Sequence, residues 1–231
     1  MSESQLESFD RVPEVATEAI AESSNSRRDF LMLGALVGAA LVLPQLPAQA
    51  AFGYSDTKHL RFLEELQYLQ TDFFTKAALS ATADGLTEKE MSVFNLLAKQ
   101  DAEQSRWFAN ARQRYGISAF NKPFTPNMSS SRLAPTYNFP ASTFTSRAAL
   151  YSRAIEIKEV AVSAFHGVVI RANSDDVIQS IAALAGIQNR HLAILKENAG
   201  QNPLVANVAA ISPREAANSL AKYKFAPEAL S

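Results

Sequence analysis

Apolar residues recur at the three- and four-residue spacing of an α-helix in four long stretches of the chain. The first runs from about Ser55 to Ala81 and ends before Asp84-Gly85, a helix stop. The second opens with Thr87-x-x-Glu90, a capping box, and ends at Tyr115-Gly116. The third starts near Ser146 and ends near Asn173. The fourth starts at Ser174, where Asp175 and Asp176 suit the positive end of a helix dipole, and stops at Gly200. A shorter helix follows Ser212-Pro213-x-Glu215, with proline in the first helical position. Residues 117–145 hold Pro123, Pro126, Pro135 and Pro140 among Ser, Thr and Asn, and read as one long irregular connection. No segment alternates with period two for long enough to suggest a sheet, so the pattern predicts an all-α chain.

Short links make antiparallel neighbours of helices one and two, and of three and four. The crossover of about 29 residues lets helices two and three run parallel across the bundle. That connectivity is the one from which a ferritin-like four-helix bundle is built. The apolar faces carry polar residues at mid-helix. Leu63, Gln67, Gln70, Phe74 and Ala77 share a stripe on the first helix. Phe94, Leu97, Asp101, Gln104, Phe108 and Ala111 share one on the second, and Ile181, Leu184, Gln188, His191 and Leu195 one on the fourth. The third helix is ambiguous: Glu156, Glu159, Ser163 and His166 form one stripe, and Ile155, Lys158, Val162, Phe165 and Val169 another. Polar groups at core positions are costly unless they pair or ligate a metal, so these stripes imply a polar layer inside the bundle.

The segment Leu66-Gln67-Tyr68-Leu69-Gln70-Thr71-Asp72-Phe73-Phe74 resembles the first helix of the exported ferritin-like family that includes desiccation-related proteins. Asp101-Ala102-Glu103-Gln104, Ala164-Phe165-His166-Gly167 and Gln188-Asn189-Arg190-His191 match that family's later helices in position. The resemblance covers most of residues 58–200 and implies a dimetal site of iron or manganese. Such a site takes one Glu from each of two helices and a Glu-x-x-His from each of the others. This chain places Gln67, Gln104 and Gln188 where anions or an imidazole belong. Asp101, Glu159 and His191 are left to hold a single ion. The expectation is a degenerate metal site with no cofactor, in which Gln67, Asp101, Gln104, Gln188 and His191 satisfy one another. His59 and His166 read as boundary residues, and Glu103, Arg106 and Arg190 as surface ion-pairing groups.

The first 50 residues read differently. Ser26-Arg27-Arg28-Asp29-Phe30-Leu31-Met32, followed by an apolar run to Leu43 and by Ala48-Gln49-Ala50, resembles the twin-arginine export signal of bacteria. Arg27 and Arg28 are its reading elements, and the acidic residues before them read as a disordered leader. The chain thus divides into a signal with its leader, 1–50, and a bundle with a helical tail, 51–231. The 22 basic and 23 acidic residues divide unevenly: 3 and 7 fall in 1–50, leaving 19 and 16 after it. So small a positive excess does not argue for nucleic acid, and the bundle region holds no apolar run long enough to span a bilayer. There is no cysteine, which excludes disulfides, thiolate metal sites and a cysteine nucleophile. No phosphate-cradling glycine loop or nucleophile signature is present. These features predict an exported, periplasmic, non-enzymatic bundle acting as a structural or interaction subunit, with a protein partner or a second copy of itself. The alternatives are a metal-dependent oxidoreductase or metal-handling protein with an altered site, and a stress-related protein. Loop 117–145 and tail 201–231 are the expected partner surfaces.

Overall fold

The computed structural model describes residues 54–80, 85–114, 137–204 and 208–230. The stretch that resembles an export signal, the end of the second helical pattern at Tyr115-Gly116 and most of the crossover lie outside these residues. Among the described residues the long elements are α1 (Tyr54–Leu79), α2 (Glu88–Arg114), α3 (Arg147–Val169) and α4 (Asp175–Asn198), followed by a shorter α5 (Pro213–Leu220). No strand occurs among them, and none of their helices is long and apolar enough to cross a membrane.

Helix ends follow local chemistry. Thr87 and Glu90 close a capping box: Glu90 N donates to Thr87 Oγ1 at 3.2 Å and Thr87 N donates to Glu90 Oε2 at 2.9 Å. The Ser146 hydroxyl accepts from Ala149 N. Ser212 and Glu215 form a second capping box, with proline in the first turn. α4 stops where Gly200 takes φ 74 and Gln201 N reaches back to Lys196 O at 2.8 Å, a conformation that favours glycine. Ser174 precedes α4, but its side chain makes no cap. Asp56 of α1 does that work instead, accepting from Asn173 N and Ser174 N, each at 2.9 Å. α3 ends at Val169, earlier than the sequence pattern suggests.

These contacts fix helix directions. Asp56 at the start of α1 meets the turn between α3 and α4, so α1 and α3 are antiparallel. Arg147 at the start of α3 bonds Glu90 at the start of α2 (2.7 Å) and the main-chain oxygen of Asn198 at the end of α4 (2.5 Å). α2 and α3 therefore run parallel, as the long crossover requires.

The parallel pair is held in one register. Four side-chain rungs join α2 to α3, each pairing a residue with the one 57 positions later. They are Glu90–Arg147, Phe94–Tyr151 with ring centroids 5.2 Å apart, Asp101–Lys158, and Phe108–Phe165 with centroids 6.2 Å apart. The last three follow at seven-residue steps, two helical turns, so they fall on one face of each helix. A charged rung thus lies between two aromatic ones in the middle of the bundle.

The chain after α4 packs back on the bundle. Ile211 N donates to Ser163 O at 3.1 Å. A Cβ at Gly167 would sit 1.7 Å from Ile211 O, so only glycine admits this close approach of backbone to α3. Beyond α5, Tyr223 donates to Glu156 at 3.1 Å and its ring lies tilted beside Phe139 with centroids 5.3 Å apart, and the Phe225 ring lies 6.2 Å from that of Phe62 of α1. Within the crossover, Tyr137 donates to Glu65 O at 3.2 Å and Phe144 lies 5.7 Å from Phe73. The described part of the loop and the tail therefore close over α1 and α3. Of the loop aromatics, which suit either a partner surface or a cap on one end of the bundle, Tyr137, Phe139 and Phe144 pack against the bundle; Phe120 and Phe124 lie outside the described residues.

Candidate functional site

A layer of polar side chains crosses the bundle between the two aromatic rungs. Gln67, Gln70, Asp101, Gln104, Lys158 and Gln188 are fully buried, and His191 nearly so. All four long helices contribute. The mid-helix polar positions on α1, α2 and α4 do lie inward. On α3 the stripe of Ile155, Lys158, Val162 and Phe165 faces the core, which resolves the ambiguity of the sequence.

Lys158 is the centre of the layer. Its Nζ lies 2.9 Å from each carboxylate oxygen of Asp101, 2.7 Å from Gln188 Oε1, 2.8 Å from Gln70 Oε1 and 3.3 Å from His191 Nδ1. The Phe74 ring closes one side at 4.8 Å. The remaining bonds lead outward. Gln188 Nε2 donates to Gln104 Oε1 at 2.8 Å and to Gln67 Oε1 at 3.1 Å. Gln70 Nε2 donates to Gln67 Oε1 at 3.2 Å, and Gln67 Nε2 to the main-chain oxygen of Asp101, also at 3.2 Å. Thr71 donates to that same oxygen and exchanges a bond with Ser105. Gln104 Nε2 is buried without a hydrogen-bond partner.

The tautomer of His191 follows from its neighbours. Its Nε2 faces Gln100 Oε1, an acceptor, so Nε2 carries the proton and Nδ1 accepts from Lys158. Every contact to Lys158 Nζ is then an acceptor, which matches an ammonium with its protons to give. Burial raises the Asp101 carboxyl, but the Lys158 ammonium holds it below the ordinary carboxylate range. Burial pushes the Lys158 ammonium below its usual value, while Asp101 pulls it back up. Burial and then Lys158 push the His191 imidazole down, which keeps it neutral near pH 7. With acceptors on every side of Lys158 Nζ, the layer holds one anion and one cation.

The other nominated residues stand elsewhere. Glu159, proposed as a third ligand, is about half exposed and pairs with Lys196 at 2.6 Å. Glu156 faces away from the core, bound to Arg153, Lys222 and Tyr223. Both turn outward because Lys158, between them, takes the inward position. Glu103 and Arg106 pair at the surface, and His166 meets Asn189 at 3.1 Å at the bundle edge. Arg27 and Arg28 lie outside the described residues. The residue that sequence reasoning missed is Lys158, although a lysine amid Ile155, Val162 and Phe165 was itself the signal.

The geometry defines a four-helix bundle with a long crossover and a polar layer at mid-height. The profile of the ferritin-like domain family matches residues 55–201, and the chain belongs to that family. No curated protein and no solved structure matches it.

Membership implies a metal pair, and the residues present do not fit one. Neutral amides stand at Gln67, Gln104 and Gln188, and an ammonium fills the space between the helices. No group of three or more His, Cys, Asp or Glu suited to a metal ion occurs among the described residues. Hard cations favour carboxylate oxygens, and the layer supplies a single carboxylate, already claimed by Lys158.

Proposed function

We propose that this chain is a non-enzymatic ferritin-like bundle that serves outside the cytoplasm as a structural or interaction subunit. The observation that carries the reading is the polar layer: the three glutamines at ligand positions bond one another, and the layer's one carboxylate, Asp101, is bonded to Lys158. Such a layer gives the bundle a fixed register rather than a reactive centre. Export rests on Ser26-Arg27-Arg28-Asp29-Phe30-Leu31 and on Ala48-Gln49-Ala50. With no cysteine to cross-link it, the exported chain relies on packing, and the tail that closes over α1 and α3 adds to that packing. The partner is a protein or a second copy of this chain.

The test has two arms. Arg27→Lys with Arg28→Lys should hold the protein in the cytoplasm, read by cell fractionation; normal export would sink the export reading. Metal analysis of the full chain, purified without chelator, should give well under one equivalent of iron, manganese or zinc. Two tightly bound metals per chain would instead promote a metal-dependent oxidoreductase or metal-handling protein. The adjacency of His191 Nδ1 and Asp101 Oδ1, 3.6 Å apart, is the one feature that favours that second reading.

A further inference from the structure

We propose that the ion site of this ferritin-like bundle is a cage for an ammonium ion, and that the chain fills it with a cation of its own, the Lys158 side chain. The inference rests on the geometry of the layer alone and is independent of export or of any partner.

Three features of the cage support it. Its acceptors come from three helices: Gln70 from α1, Asp101 from α2, Gln188 and His191 from α4. The remaining helix, α3, supplies no ligand and delivers the cation instead. The helix that would bring a carboxylate to a metal has reversed the sign of its contribution.

The size of the cage is the second feature. The oxygens stand 2.7–2.9 Å from Nζ, the ordinary range of N–H···O hydrogen bonds. Magnesium needs about 2.0–2.1 Å and calcium about 2.3–2.6 Å, while zinc draws nitrogen and oxygen ligands to about 2.0–2.2 Å. The three ligating helices would have to close by several tenths of an ångström to grip any of these. An ammonium nitrogen fits the cage as it stands, and so does potassium, whose size is close to that of ammonium.

Charge is the third. One carboxylate, two neutral amide oxygens and a neutral imidazole balance a single positive charge. A dication would leave an excess charge buried among Phe74, Phe94 and Phe108, and while Lys158 remains in place it would meet another cation at contact distance. The Phe74 ring, 4.8 Å from Nζ, favours a monovalent cation on its face.

The experiment uses the full chain and reads thermal midpoints by circular dichroism at equal ionic strength in choline, potassium and ammonium chlorides, and with added manganese or iron(II). The unmodified protein should melt at one midpoint in all of these. A midpoint raised by manganese or iron, with stoichiometric binding, would overturn the proposal, because a metal would then displace the lysine. Lys158→Ala opens the cage; it should melt lower in choline and regain several degrees in ammonium and in potassium. Adding Asp101→Asn should remove that rescue. Equal melting of Lys158→Ala in all three salts, or equal rescue in the double variant, would also overturn it. Should Lys158→Ala fail to fold, nitrogen-15 labelling of lysine side chains in the unmodified protein decides. One ε-ammonium group protected from solvent exchange at pH 7, with contacts to the His191 ring, is the expected result. An uncharged amine at that position would refute the assignment.

Discussion

The same parallel pair of helices carries two charged rungs of one register, and they have opposite surroundings. Glu90–Arg147 sits at the bundle end, with the arginine 38% exposed and the glutamate also closing a capping box. Asp101–Lys158 sits at the centre with neither side chain exposed at all. At the end, water reaches the arginine although the Glu90 side chain is only 9% exposed, so the pair is screened from one side and its contribution is the smaller. At the centre, both charges have lost their hydration, and they persist only because amide oxygens, an imidazole and an aromatic ring replace it. The outer rung fastens the starts of two helices. The inner rung is tolerated by its network and dictates which residue faces which. A one-residue slip of α3 would put Ile157 or Glu159 against Asp101 in place of Lys158 and part the two buried charges.

The largest effects should come from splitting the inner rung. Lys158→Met or Asp101→Leu alone should each cost about 3–5 kcal/mol, because each leaves an uncompensated buried charge. The two together should cost clearly less than their sum, since an apolar pair replaces an ionic one. Urea unfolding followed by circular dichroism measures the cycle. Simple additivity would mean the rung acts through packing and not through charge. Next in size is the aromatic rung beside it. Phe108→Ala should cost about 3–5 kcal/mol, and Leu97→Ala about 2–5 kcal/mol, through the cavities they leave. Near-neutral effects at both would place that face of α2 away from the core.

The sequence made the helices legible because period and punctuation agree. Thr87 with Glu90, Ser146, Gly200 and Ser212 with Pro213 each mark a boundary by chemistry that the structure then uses. The inward face of α2 was legible too, since Asp101 and Gln104 interrupt an otherwise apolar stripe. The register between α2 and α3 was not. It depends on where a long crossover sets α3 down, and no local pattern carries that information. For the same reason the pattern leaves the inward stripe of α3 open and nominates Glu159 for an ion, whereas Lys158 stands at that level. Ligand patterns draw attention to acids and histidines, so a cation at core level escaped. Restoring acids elsewhere would then not suffice. Gln67→Glu, Gln104→His and Gln188→Glu should gain little manganese affinity while Lys158 remains, and should gain it once Lys158→Glu is added.

Gly167 tests the attachment of the tail. Gly167→Ala should cost about 1–3 kcal/mol, the range for overpacking, because its Cβ would collide with Ile211 O. Limited proteolysis should then cut after α4 sooner than in the unmodified chain; unchanged cleavage would mean the backbone yields without releasing the tail. A pH series probes the inner rung by another route. His191 is held below its ordinary value by burial and by Lys158, so the unfolded chain takes up a proton before the folded one does. Its contribution is therefore complete above pH 6.5 and is lost as pH falls below that value. His59, also lowered by burial, acts in the same sense. His191→Gln should flatten the slope between pH 6.5 and 5 without removing the part due to His59.

The smallest effect belongs to the outer rung, and its size is what gives the comparison its meaning. Burial raises the Glu90 carboxyl, but Arg147 and the two bonds from Thr87 more than offset it, so the folded value is depressed. A depressed carboxyl stabilises above its unfolded value, near pH 4.5, and the gain disappears as pH falls through the folded one. Glu90→Gln keeps the side-chain shape and removes the charge, and it should cost about 0.5–1 kcal/mol at pH 7. Raising the salt concentration should erode that difference, since the pair is open to screening. The Asp101–Lys158 coupling should barely respond to the same salt. A Glu90→Gln cost equal to that of Lys158→Met, or equal salt sensitivity in the two rungs, would show that burial does not separate them and that the central cage is wetter than its contacts imply.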